Sequence, residues 1–184
     1  MAKIGLKYPI CGKLTEGVTN TYTEKTVIGK AIKADIKITK SNTKLHADDG
    51  IAEFETSVTG ATINLEVDEL SDKSYTFLMG HKKVGETEEL VANGKDTAPF
   101  VGFGFYGAKM INNVTKYRAI FFPKVKFSEP DDSNATKGES TTFQTQTIEG
   151  EIVLSEDGTW KYEQTFATEA EAKSYLEEKF EAAA

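Results

Sequence analysis

Cysteine is almost absent from this 184-residue chain. Cys11 is the only one, which excludes an intramolecular disulfide and a thiolate zinc site, and fits folding in a reducing cytoplasm. Histidine is scarce as well: His46 and His81 are the only two, leaving few metal ligands and few general bases. Functions that depend on Cys/His clusters are thereby excluded. No stretch approaches the ~20 apolar residues of a membrane-spanning helix, so no membrane insertion by this chain is expected. The opening Met1-Ala2-Lys3-Ile4-Gly5 lacks the apolar core of a signal peptide, so no secretory route is expected either. Basic residues are outnumbered, 22 Lys+Arg against 29 Asp+Glu, for a formal net charge of -7. A protein that holds nucleic acid by neutralising phosphates needs the opposite balance.

What is present reads as one globular domain spanning residues 1–184, with 39% hydrophobic and 28% charged residues. Period-2 alternation dominates. Ile32, Ala34, Ile36 and Ile38 alternate with Lys33, Asp35, Lys37 and Thr39, and Ala61, Ile63, Leu65 and Val67 alternate with Thr62, Asn64, Glu66 and Asp68. Each pattern predicts a strand with one buried and one wet face. Asn42 to Asp49 reads as a polar loop, and residues 1–27 as an N-terminal arm. Leu70 to Gly80 predicts a short helix capped by Ser71 and closed by Gly80, with Leu70 and Tyr75 at the spacing of a hydrophobic staple. Lys82 to Ala98, with Asn93-Gly94, reads as a surface connection. Strands are expected at Phe100 to Tyr106 and Tyr117 to Phe127, joined by a turn at Asn112-Asn113, with Pro123 marking an edge or a bulge. After the turn-rich Glu129 to Glu139, Thr141 to Leu154 and Thr159 to Phe166 are expected to form a hairpin through Asp157-Gly158, with Trp160, Tyr162 and Phe166 on one face. A capping box at Thr168 and Glu171 opens a C-terminal helix over 168–181, with Ala172, Tyr175, Leu176 and Phe180 as its apolar stripe.

The motifs that suggest chemistry have plainer readings. Gly102-Phe103-Gly104-Phe105-Tyr106-Gly107 matches a dinucleotide fingerprint in its letters, but it lies in an aromatic strand rather than at a strand-to-helix turn. Its glycines are expected to admit a neighbouring strand or ring. His46-Ala47-Asp48-Asp49 lacks the convergent ligands of a metal site, and His81 is expected to support the C-terminus of the short helix. No nucleophile–base constellation emerges, and the Glu53/Glu55 pair reads as a wet strand face.

Several segments, in order, resemble the major tail proteins of long-tailed, non-contractile bacteriophages of Gram-positive hosts. They are Ile4 to Pro9, Gly29 to Asp35, Ala47 to Glu53, Pro99 to Gly107 (PFVGFGFYG), Lys116 to Pro130 (KYRAIFFPKVKFSEP) and Thr136 to Gly150 (TKGESTTFQTQTIEG). Together they cover nearly the whole chain, fading in Lys82 to Lys95 and after Leu176. The resemblance implies a mainly β (β+α) subunit, an antiparallel β-sandwich or half-barrel with one short internal helix and one C-terminal helix. It further implies hexameric rings stacked into a tail tube through which viral DNA leaves the capsid. No enzyme activity and no cofactor are implied. The implied partners are other copies of the chain, the tip complex, tape measure and terminator of the tail, and DNA in transit without sequence-specific binding; the implied location is the virion.

On that reading the wet strand faces supply candidates for the lumen: Glu53, Glu55, Thr62, Asn64, Glu66 and Asp68. An acidic wall lets a duplex slide where a basic one would grip it. Lys33 and Lys37 on the same kind of face count against a purely acidic lining. Ring stacking is expected to use long connections not needed for the core: Leu6, Tyr8 and Pro9 in the N-terminal arm, Asn42, Lys44, His46, Asp48 and Asp49 within 40–60, and Asp131, Asp132 and Lys137 within 128–140. Two other readings stay open. One is a β-sandwich binding module for carbohydrate or protein using Trp160, Tyr162, Phe103 and Phe105; the other is a small β-barrel enzyme.

Overall fold

A computed structural model describes residues 2–17, 20–47, 50–132 and 145–181. In chain order the elements are β1 (Ala2–Thr15), β2 (Thr21–Val27), β3 (Ala31–Ala47), β4 (Gly50–Val67), α1 (Asp72–Met79), β5 (Lys82–Val84), β6 (Glu89–Val91), β7 (Val101–Ile111), β8 (Val114–Phe127), β9 (Gln146–Ile152), β10 (Tyr162–Phe166) and α2 (Glu169–Glu181). The architecture is mainly antiparallel β with one short internal and one C-terminal helix, consistent with a sandwich or half-barrel. Eight strands form one sheet in the order β2-β1-β7-β8-β9-β4-β3, with β10 also paired to β8, and β5 and β6 form a separate small hairpin. β1 also lies against β3, so the sheet rolls over on itself.

The roll encloses the main core. Ala61, Ile63, Leu65 and Val67 of β4 meet Ile148 and Ile152 of β9, Phe103 and Phe105 of β7, and Ile120, Phe122, Val125 and Phe127 of β8. Helix α1 adds Phe77, Leu78 and Met79 to it. The opposite face of β1, β7 and β8 is not left wet. Ile10, Tyr106, Ala119 and Phe121 there are covered by Ala172, Leu176 and Phe180 of α2. β7 and β8 are therefore buried on both faces, which is why their sequences read as nearly continuous aromatic runs. Gly12, Gly102 and Gly104 make the α2 side flat enough for this packing. A Cβ at Gly102 would stand 2.5 Å from the Tyr22 ring, one at Gly12 2.7 Å from Phe180, and one at Gly104 2.9 Å from Leu176.

The local signals carry both helices. Ser71 Oγ accepts from Ser74 N–H, Leu70 and Tyr75 both pack on the main core, and Gly80 exits at φ +77°. At α2 the box closes reciprocally: Thr168 N–H donates to Glu171 at 3.0 Å, and Glu171 N–H donates to Thr168 Oγ1 at 3.3 Å. Asn112 and Asn113 turn β7 into β8 with φ of 49° and 62°, the left-handed pair that a two-residue hairpin favours. Pro123 sits at a bulge, between the pairings Phe103–Phe122 and Val101–Val125. There β8 passes from β10, paired at 117–121, to β9, paired at 125–127. A residue without an N–H suits that change of partner.

Four expectations are corrected. Residues 1–27 are not a free arm, because β1 and β2 pair within the main sheet and Pro9 and Ile10 are buried. Asn42 to Ala47 is strand rather than loop, part of a long β3–β4 hairpin. The surface connection at 82–98 contains the β5–β6 hairpin. The turn at Asp157-Gly158 exists, with Gly158 N–H on Ser155 O at 2.9 Å, but β9 and β10 are not paired through it. Both lie against β8 at different ends, and the turn sends Trp160 to the main core beside Phe122 while Tyr162 and Phe166 stay on the α2 side. The three aromatics thus do not share a face.

Candidate functional site

The polar side of the β3–β4–β9 sheet is where the lumen candidates on regular strand converge. Thr62, Asn64 and Glu66 of β4 stand opposite Lys37, Asp35 and Lys33 of β3 on one flank. On the other they stand opposite Glu151, Glu149 and Thr147 of β9. Glu151 in turn faces Lys126 of β8. The face therefore carries carboxylates at Asp35, Glu66, Glu149 and Glu151 and ammonium groups at Lys33, Lys37 and Lys126. It is mixed rather than purely acidic. Lys33 pairs with Asp35, and Glu66 accepts from Thr145 Oγ1 at 2.7 Å. Glu149 and Glu151, both exposed, are additions from the structure. The alternation Thr147, Glu149, Glu151 against Ile148, Gly150, Ile152 carried that signal in the sequence.

Glu55 belongs to the same side for a reason that strict alternation hides. Its number is odd where Thr62, Asn64 and Glu66 are even. A bulge at Thr59 changes the register from Thr39–Gly60 to Lys40–Val58, so Glu55 faces Thr43, in phase with Thr39 and Lys37. Glu53 pairs with Leu45 in the same ladder, and its side chain lies outside the described ones. Asp68 has a different role. It follows β4, and its Oδ1 accepts from the backbone N–H of Lys30 at 2.8 Å and of Glu69 at 2.9 Å. Those bonds, the Lys30 one foremost, hold its carboxyl below the usual carboxylate range, so it braces the β2–β3 crossing rather than lining the strand face.

The stacking candidates divide. Among the described residues β9 pairs with β4 from Ala61 to Val67 and no other strand pairs with the β3–β4 hairpin beyond Gly60, which is there a two-stranded ribbon. Asn42 and Lys44 lie on it, exposed, and Thr56 Oγ1 donates to Asn42 Oδ1 at 3.0 Å across the ladder. His46 pairs with Ile51 in backbone register near the tip. Asp48, Asp49 and Lys137 lie outside the described residues. Asp131 and Asp132 follow β8, exposed. Leu6, Tyr8 and Pro9 fall among two bulges of β1 and are not available as expected: Leu6 packs on the main core and Pro9 is buried. Tyr8, at φ 59°, donates to Glu177 of α2 at 3.0 Å and lies under the Lys173 ammonium, fastening α2 to β1.

His81 does not support a helix terminus as expected. It is 6% exposed and lies between two carboxylates, with Nδ1 3.0 Å from Asp96 Oδ2 and Nε2 3.0 Å from Glu129 Oε2. Spacings of 15 and 48 residues gave no local sign of this cluster. Cys11 is fully buried, and burial pushes its thiol far above its ordinary value, which leaves it unreactive. Among the described residues no group of three or more His, Cys, Asp or Glu is arranged to hold a metal ion. An open groove of about 790 Å³ runs between Glu16, Tyr22, Lys124, Asp157, Tyr162 and Lys179. Of the aromatics a binding module would use, only Tyr162 lines it. Phe103 and Phe105 are core, and Trp160 is half-buried against Phe122.

The chain matches no protein-family model, and no curated protein matches it.

Proposed function

We propose that this chain is the structural subunit of a bacteriophage tail tube. In this reading copies join edge to edge into hexameric rings, the rings stack, and the polar β3–β4–β9 face lines the channel for DNA in transit. The tail's tip complex, tape measure and terminator are then its other partners, and the finished protein resides in the virion.

The observation that carries the reading is the β3–β4 ribbon. Two-stranded ribbons without a third strand are marginal in water. This one runs from Lys40 to Ala47 and back from Gly50, with no further strand paired to it among the described residues. At ~3.3 Å per residue it extends about 25 Å past the body. A partner surface would supply the missing contacts. The sheet's two ends support the same conclusion. β3 is an end strand with Ile32 49% and Ile38 45% exposed, and β2 is the other, with Val27 44% exposed. Apolar side chains on open edges invite pairing, and successive copies joined through such edges close a ring with no lateral edge left.

The test is electron microscopy of the purified chain at rising concentration, beside light scattering for mass. Hollow rings or tubes of uniform bore support the reading. A monomer at every concentration, which also fails to join a purified tail-tip complex, overturns it.

A further inference from the structure

His81 touches a carboxylate with each ring nitrogen, and the two carboxylates belong to different parts of the chain. Asp96 lies in the turn that begins at Asn93, after β6. Glu129 lies just past β8, where Ser128 N–H makes the last bond to β9, on Glu149 O at 2.9 Å. The Tyr75 ring of α1 stacks on the imidazole at 6.3 Å and 12°, fixing its plane.

Only the doubly protonated ring can donate to both carboxylates; a neutral ring donates to one and turns a lone pair on the other. The two acceptors are not equivalent. Asp96 is further held by Asn93 N–H, at 2.9 Å, and its side chain is only 13% exposed. Glu129 is 57% exposed and makes no other hydrogen bond among the described residues. We propose that His81 is a proton-operated latch: as imidazolium it ties the residues after β8 to the 93–96 turn, and on losing its Nε2 proton it keeps Asp96 and releases Glu129 to water. The neutral ring is then the Nδ1–H tautomer.

The surrounding charges support this order. Burial works against the charged ring, but the hydrogen bonds to Glu129 and Asp96 outweigh it, so His81 titrates above its ordinary value. Asp96, bonded first by Asn93 N–H and then by His81, is held below its own. Lys82 adds a positive charge beside Asp96. Tyr75, raised by burial, stays neutral throughout, with Asp132 the remaining carboxylate acting on it. The latch needs no ring or tube; it is a property of the single chain.

The experiment is a pH titration of the full chain by ¹⁵N-histidine NMR, with His46→Gln to assign the two signals. The protection factor of the Ser128 amide, the last one bonded to β9, is followed in parallel. The expected result is a His81 midpoint above that of an ordinary imidazole, an Nδ1–H tautomer at high pH, and reduced protection of the Ser128 amide through the same midpoint. Glu129→Gln, an exposed substitution, lowers the midpoint and makes protection there independent of pH. A midpoint at or below the ordinary value, an Nε2–H tautomer, or unchanged protection across the titration overturns the latch.

Discussion

Tyr22 lies flat against Gly102, near enough that a methyl group on that glycine would stand 2.5 Å from the ring. The same ring makes edge contacts with Phe121 at 5.6 Å and Phe180 at 5.4 Å, and its hydroxyl donates to Pro123 O at 2.9 Å. These three contacts oppose its moving aside. Gly102→Ala should therefore overpack the α2 side and destabilise the fold by ~1–3 kcal/mol. Gly94→Ala, where nothing lies within 4 Å, is the control and should be nearly neutral. Urea unfolding of the two variants checks the contrast; equal stabilities would mean that the ring slides aside.

The capping box at α2 gives a second local test. Thr168→Ala removes the acceptor of Glu171 N–H and should cost ~0.5–2 kcal/mol. Because Ala172, Leu176 and Phe180 cover β1, β7 and β8, the loss should appear in global denaturation and not only as fraying of the helix. Circular dichroism and tryptophan fluorescence, with Trp160 on the other side of the sheet, should report coincident transitions.

Such local devices were the most legible part of the sequence. Ser71, Gly80, Thr168, Glu171 and the Asn112-Asn113 turn each act through neighbours three or four residues away, and each appears where the residues placed it. Alternation likewise gave the buried and wet faces of β4. What failed was longer in range. Asn42 to Ala47 reads as loop from its polar composition, and the described side chains there, Asn42 to Lys44, are exposed although the backbone is strand. The shared face of Glu55 and Glu66 depends on one extra residue at Thr59, which reverses parity without leaving a composition signal. A tight turn at Asp157-Gly158 does not oblige the strands on either side to pair, and β9 and β10 each pair with β8 instead. The His81 cluster joins three distant parts of the chain, and no spacing rule points to it.

Glu163 offers a pH test in the acid range. Lys161, at 2.8 Å, and Arg118 both reach its carboxylate, and their hydrogen bonds hold it at about 2, against an ordinary 4.5. A depressed carboxyl contributes stability above its unfolded value and loses it as pH falls through the folded one. The window here is pH 4.5 down to pH 2. The side chain is 42% exposed, so solvent screening keeps the effect modest. Urea midpoints of the wild type should fall more steeply across that window than those of Glu163→Gln. Parallel curves would show that the ion pairs of Glu163 with Lys161 and Arg118 add nothing to stability.

Removing the ribbon would separate folding from assembly. Val58 pairs with Lys40, and an Asn-Gly turn inserted between these two residues in place of 41–57 would close β3 on β4 by the shortest favoured hairpin. The described side chains of the segment lost, at 41–44 and 55–57, are all exposed, and β9 still pairs with β4 from Ala61 inward. The shortened chain should unfold cooperatively, at a midpoint close to the parent's, and stop at single rings by light scattering and electron microscopy under conditions where the full chain forms tubes. Ile38→Lys is the companion variant. Its side chain is 45% exposed at the β3 edge, so the change should leave monomer stability within ~0.5 kcal/mol while placing a charge where a neighbouring copy would dock. Loss of stacking with rings intact in the first variant, and loss of rings in the second, would assign the ribbon to contacts between rings and the edge to contacts within one. Tubes that formed normally from the shortened chain would remove the ribbon from assembly altogether.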